Sequence, residues 1–321
     1  MAEHIEHLKD GIYEKVMSKE FADRLMEAIE AKKVWAERDD TDAYEATGYL
    51  SSYLEKLIRL CLKDIADRNT EAVLSDEIEL TNQLVEMLVE RLPDLGHGHS
   101  VVKNQFLLKS LEHVANKTSP RKWEYPDTSL TKSFLFTNSH NDTSMVSELR
   151  KEIMSADRID FLVSFIRFSG LALLLPYLRD FTNKGGYLRV ITTTYMGATD
   201  PKAVVELAKL PNTEIHISYN VKETRLHAKS YIFNRDSQFS TAYIGSSNLS
   251  HAAIAEGLEW NMKITEQDMP SIMEKMTATF ETYWNSDEFQ VFHVEQKDEL
   301  IKAIDHERGR EGSGKNQVAY Q

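Results

Sequence analysis

A chain of 321 residues is long enough for two ordinary domains, and its 41% apolar and 28% charged residues are those of a globular protein, not a collagen-like or disordered one. The net charge of −13, with most of the acid excess in residues 1–130, excludes a surface that holds nucleic acid by bulk charge, so any such activity rests on a local site or on a partner. No apolar run approaches the roughly 20 residues of a membrane helix, the first residues lack an apolar signal core, and the single cysteine, Cys61, excludes an internal disulfide framework and a cysteine-rich zinc site. The expected location is the cytoplasm.

The N-terminal third reads as helical. Tyr13, Val16, Met17, Phe21, Leu25 and Ile29 share one stripe, and Leu50, Tyr53, Leu54, Leu57, Ile58, Cys61, Leu62 and Ile65 form a better one. Residues 77–92 repeat the pattern through Leu80, Leu84, Met87 and Leu88 before Pro93 and Gly96 break it. An all-helical domain with its linker is therefore expected over 1–130, with Cys61 in a core. The linker falls at 115–131, a polar stretch with Pro120 and Pro126 and no period.

The texture then changes. Ile159–Ile166 reads as a buried strand, Leu171–Phe181 as a helix ending near Gly185-Gly186, Leu188–Tyr195 as a strand, Pro201–Leu210 as a helix and Ile215–Tyr219 as a strand. Three more strands follow at His227–Phe233, Thr241–Ile244 and Leu258–Ile264. This alternation predicts an α/β domain over 131–290, with a C-terminal helix and a flexible tail at 291–321. Gly309–Asn316 approaches a phosphate-binding loop, but it lacks the final Ser or Thr and a preceding buried strand, and it is assigned to the tail. His97 and His99 look like a metal pair only in spacing, and no metal or other cofactor is expected.

One constellation carries chemistry. His227 and Lys229 fall on one face of an expected strand, and Gly245-Ser246-Ser247-Asn248 follows at the end of the next. A nucleophilic imidazole, an ammonium, a hydroxyl, an amide and a closely approachable backbone make an anion pocket with a nucleophile inside it. The pattern H-x-K … G-S-x-N resembles the signature of the phospholipase D superfamily. That resemblance implies an α/β/α sandwich with a mixed sheet. It also implies metal-independent phosphodiester hydrolysis: His227 forms a covalent phosphohistidine while Lys229, Ser246 and Asn248 bind the phosphate oxygens. Glu259, fourteen residues after Gly245, matches the carboxylate that nucleases of this superfamily set against the second ring nitrogen of the histidine; Glu256 is the competing acid. The family's Asp after the lysine is replaced by Asn234, and Asp236 is the nearest substitute.

Residues 134–290 further resemble the phospholipase D-like domain at the head of large bacterial proteins that carry a helicase, through Arg158–Phe165, Arg189–Asp200 and Phe239–Ser250; Gly11-Ile-Tyr-Glu14 adds to the likeness. Some of those are restriction enzymes. The resemblance implies an endonuclease acting on DNA in antiviral defence, with a helicase or ATPase as partner or fused domain. The rival expectation is an inactive phosphate- or nucleic-acid-binding module serving a partner ATPase. The sequence holds one H-x-K and one Gly-Ser-x-Asn, and no histidine between residues 159 and 200. Since the chemistry needs two imidazoles, a homodimer through the active-site face is expected.

Overall fold

The computed structural model describes residues 12–38, 42–68, 71–92, 98–104, 107–112, 123–137, 139, 143–220, 225–256 and 259–313. The chain divides into two compact units, Met1–Leu111 and Glu112–Gln321.

The first unit is helical. Helix α1 (Lys19–Glu30) starts later than its stripe, because the Ser18 hydroxyl accepts the Phe21 N–H at 3.3 Å and caps it there. Helices α2 (Ala43–Asp67) and α3 (Val73–Arg91) complete the unit. Only Leu25, Ile78 and Val89 are buried hydrophobics among its described residues. Cys61, expected in a core, is exposed, since the stripe on α2 exceeds what this small unit covers.

The second unit is built on an eight-stranded sheet. Its elements are β1 (Phe134–Phe136), α4 (Met145–Ser155), β2 (Arg158–Val163), α5 (Phe168–Asn183), β3 (Tyr187–Thr193), α6 (Pro201–Ala208), β4 (Thr213–Ser218), β5 (Lys229–Asn234), β6 (Thr241–Gly245), β7 (Asn261–Thr265), α7 (Pro270–Trp284), β8 (Phe289–Val291) and α8 (Lys297–Ser313). The strand order is β1-β7-β6-β5-β2-β3-β4-β8. Strands β2, β3 and β4 are parallel, while β5, β6, β7, β1 and β8 pair antiparallel.

Both faces of the centre are buried, as the continuous apolar runs of the parallel strands require. On one face Phe161, Val163, Val190 and Ile217 meet Leu149, Leu178, Leu207 and Ile304 of α4, α5, α6 and α8. On the other, Leu162, Ile191 and Ile232 meet Met273 and Phe280 of α7. The expected α/β/α sandwich with a mixed sheet is the architecture found.

Some local readings are corrected. The strand expected from His227 begins at Lys229, and that expected from Leu258 begins at Asn261. Helix α8 runs through Gly309 to Ser313, where a tail was expected. The predicted linker is described only from Trp123, and there Glu148 accepts the Asp127 N–H at 2.6 Å, tying this stretch to α4. Among the described residues, no helix is long and apolar enough to cross a membrane.

Candidate active site

Antiparallel pairing brings four chain segments to one end of the sheet. Val163, the last residue of β2, stands opposite Lys229, the first of β5. Gly245, the last of β6, stands opposite Asn261, the first of β7. The residues just beyond these ends are Ser164–Arg167, His227–Ala228, Ser246–Ser250 and Glu259–Trp260. Together with Lys229 at the start of β5, they include the site residues singled out from the sequence: His227, Ser246, Asn248 and Glu259.

His227 and Lys229 touch. The Lys229 Nζ lies 2.9 Å from Nδ1 and 3.2 Å from Nε2 of His227, and it donates to the His227 carbonyl at 2.9 Å. The Lys229 side chain is buried while the imidazole is exposed, with its ring edge-on to Phe165 at 5.9 Å. Burial, and then the Lys229 charge, lower the His227 pKa, which favours the neutral, nucleophilic form of the ring. Burial likewise lowers the Lys229 pKa, and Glu259 opposes that shift through space. No carboxylate lies within hydrogen-bond reach of this ammonium among the described residues.

The Gly245–Asn248 loop is fixed from below. A Cβ on Gly245 would come within 2.1 Å of the Trp260 carbonyl oxygen, so only glycine lets β6 approach β7 here. Gly170 plays the same part for the first turn of α5, where a Cβ would lie 2.5 Å from the Ser250 backbone. The Ser247 hydroxyl is buried; it donates to the Ala253 carbonyl at 3.0 Å and accepts from Asn261 Nδ2 at 2.7 Å. Tyr231 Oη donates to the Ser247 carbonyl at 3.0 Å. Ser246 Oγ accepts the Trp260 N–H at 3.2 Å. Asn248 Oδ1 accepts the Phe165 N–H at 3.3 Å, which leaves the amide's donor end for a ligand.

Glu259 lies in the electrostatic field of Lys229 and Tyr231, but no hydrogen bond joins it to His227; both ring nitrogens face Lys229 Nζ. Glu256 ends a π-helical turn, Ala252–Glu256, and its side chain lies outside the described residues, as does His97.

The departure at Asn234 has a local answer. Asp236, offered as its substitute, is exposed and sits beyond the strand end, where its N–H meets Asp157. Asn234 Nδ2 instead donates to Asp160 of the adjacent strand at 2.9 Å. Asp160 is fully buried and takes Arg189 Nε and Nη2 at 2.7 and 2.9 Å, and Arg189 also binds Glu281. A carboxylate is therefore present in this neighbourhood, on β2 and not on β5.

Sequence reasoning missed Phe165, Tyr231, Asn261 and Gly170, which hold the site from segments distant in the chain. No spacing rule marks them, because each acts through a backbone atom or a single cross-strand bond. Among the described residues, no group of three or more His, Cys, Asp or Glu is placed to hold a metal ion.

Residues 149–284 match the family model described as "Cardiolipin synthase, PLD-like domain". A search of curated proteins finds no match. Among solved structures, NucT from Helicobacter pylori aligns at 18% identity, over 50% of this chain and 99% of that one, with a TM-score of 0.40. The phospholipase D family member Nuc from Salmonella typhimurium aligns at 17% identity, over 50% and 98%, with a TM-score of 0.39. The phosphatidylserine synthase of Haemophilus influenzae Rd KW20 aligns at 9% identity, over 56% and 44%, with a TM-score of 0.41. The segment that matches the family model contains His227, Lys229, Ser246, Asn248 and Glu259, so the candidate site falls inside the matched region.

Proposed function

We propose that the phospholipase D-like domain of this chain hydrolyses phosphodiesters, with DNA as substrate, through a covalent phosphohistidine at His227. The observation that carries this reading is the Lys229 ammonium, buried without a contacting carboxylate among the described residues and 2.9 Å from Nδ1 of an exposed, neutral-leaning imidazole. A buried ammonium beside a nucleophilic ring suits a phosphate. An imidazole nitrogen attacks phosphorus, and the bond from phosphorus to the leaving oxygen breaks. A second imidazole, the protonated member of the pair, gives its proton to that oxygen and, now neutral, takes one from the water that attacks phosphorus and breaks the P–N bond. Lys229 and the Asn248 amide neutralise the phosphate oxygens as charge develops on them, with Ser246 at the rim. Glu259 tempers the field at Lys229.

The second imidazole is His227 of a second copy, across a two-fold axis. The surface beside the site supports this. Leu135 pairs with Met262 and Met262 with Ile244, a row across β1, β7 and β6 that leaves Leu135 and Ile244 exposed, next to a Trp260 that is 66% exposed. A second copy would cover this row. The finer reading, an endonuclease acting with a helicase or ATPase in defence against foreign DNA, rests on the likeness of Arg158–Phe165, Arg189–Asp200 and Phe239–Ser250 to domains fused to helicases.

The test is turnover of a bis-aryl phosphodiester and of plasmid DNA in excess EDTA. Cleavage of both supports the reading. Tight DNA binding without turnover of either substrate would make the chain a binding module instead.

A further inference from the structure

The catalytic pocket accounts for one phosphate, and the loops that frame it carry two cations it does not use. Arg167 follows Ile166, which bridges to Leu249, and its backbone N–H donates to the Leu249 carbonyl at 2.8 Å, one residue from Asn248. Arg225 lies two residues before His227. Both side chains are exposed, and neither guanidinium has a hydrogen bond or ion pair among the described residues. Five other arginines of this unit are engaged: Arg158 and Arg189 meet Asp160, Arg235 meets Glu152, Arg308 binds the Gly197 carbonyl, and Arg150 binds the Leu173 carbonyl. Arg179, on α5, is exposed, its guanidinium without a hydrogen bond or ion pair among the described residues, and acts on Glu206 only through space, but it lies on a helix and not on a loop that frames the pocket. The acid nearest Arg167 on the loop after β3, Asp200, is occupied in capping α6, accepting the Lys202 N–H at 2.9 Å. In a chain of net charge −13, two unpaired arginines on the two loops that flank the nucleophile form a local positive track.

We infer that Arg167 and Arg225 hold the phosphates on either side of the scissile one, so that the site takes a nucleic-acid strand drawn across it and not a single-phosphate lipid. The inference rests on the phosphodiesterase reading and names what sets its substrate class. A phosphatidylcholine headgroup would fill the pocket at Lys229 and Asn248 but offer nothing to either arginine. A polynucleotide presents a phosphate at every nucleotide, and each arginine that neutralises one releases counterions. Arg179, about three turns further along α5 by helix geometry, serves as a charge-matched control.

The experiment measures binding of a labelled single-stranded oligonucleotide against salt in the His227→Ala protein, alone and with Arg167→Ala, Arg225→Ala or Arg179→Ala added. Each of the first two is expected to lower the slope of log affinity against log salt by about 0.7, with Arg179→Ala unchanged. In proteins that keep His227, the first two should cut kcat/KM for the oligonucleotide about tenfold and leave a bis-aryl phosphodiester, which has no flanking phosphates, untouched. An equal effect of Arg179→Ala, equal losses on both substrates, or binding to cardiolipin vesicles in place of the oligonucleotide would overturn the inference. Wild-type protein that turns over neither substrate would reject the phosphodiesterase reading, while the salt slopes would still judge the two arginines.

Discussion

Two lysines stand on the same face of the sheet, on β5 and β7, with one strand between them, and their surroundings are opposite. Lys263 is fully buried and meets Glu148 and Glu152, each at 2.9 Å, with the Thr128 hydroxyl also at 2.9 Å. Burial would push the Glu152 carboxyl up, but Arg235 and Lys263 overrule it and hold its pKa at about 2. Lys229 is buried almost as deeply, and its hydrogen-bond partners among the described residues are the ring and carbonyl of His227, with the Phe165 ring at 5.8 Å. The first ammonium is neutralised by contacting carboxylates. The second meets no carboxylate at contact distance among the described residues and suits an incoming anion. Two buried lysines thus separate into a structural group and a binding group by the presence or absence of a carboxylate.

The largest expected effect tests the binding side of that contrast. His227→Ala should lower turnover of a bis-aryl phosphodiester by about 10⁴-fold or more with little change in the thermal unfolding temperature, because the ring is exposed and its packing is limited to an edge contact with Phe165.

The lysines should next behave in opposite ways. Lys263→Met leaves Glu152 with Arg235 and Glu148 with no contacting cation among the described residues, and should cost about 3–5 kcal/mol in urea unfolding. It should also move acid unfolding to higher pH. A carboxyl held at about 2 in the fold, against an ordinary 4.5, contributes stability that is present above 4.5 and lost as pH falls through 2; removing Lys263 raises the folded value and narrows that window. Lys229→Met should leave stability unchanged or raise it, since it removes an uncompensated buried cation, while cutting turnover about 10²–10³-fold. Equal destabilisation by the two substitutions would dissolve the comparison.

A smaller effect is expected at Asn234. Asn234→Asp restores the residue of the resembled motif, yet here it removes a donor 2.9 Å from Asp160 and sets two carboxylates together. Denaturant unfolding should report a loss of about 1–3 kcal/mol. A gain would show that Arg158 can serve both acids.

The smallest concerns pH. Because burial and Lys229 both lower the His227 pKa, the acid limb of kcat/KM should fall at a pH below the ordinary histidine value of 6.5. Lys229→Met removes one of those two causes, so the residual activity of that variant should show its acid limb at higher pH.

The sequence disclosed the binding lysine and not the structural one. His227, Lys229 and Gly245–Asn248 are close in the chain, at the start of one strand and the end of the next, so their convergence was legible from the sequence. Lys263, Glu148 and Glu152 are distant in sequence. The two acids sit among Met145, Leu149 and Ile153 on the buried side of α4, where they interrupt the apolar stripe that would have announced the helix. Asp160 was hidden in the same way, as a polar residue inside the run Ile159–Val163 that reads as plain core. Glu259 was singled out by its distance from Gly245, but the hydrogen bond to His227 expected of it is not formed, since both ring nitrogens face Lys229 Nζ. Strand–helix alternation announced an α/β domain, and the sandwich with a mixed sheet was what the resemblance implied; β1 and β8, three residues each, were too short to read.

The most direct test of the central claim is acid quenching of the enzyme during turnover, followed by mass analysis of the chain. The account predicts that the substrate's phosphoryl moiety is attached to His227, is lost on standing in neutral water, and is absent from the His227→Ala protein. Turnover at the wild-type rate in His227→Ala, or an adduct on another residue that accumulates during turnover, would contradict it.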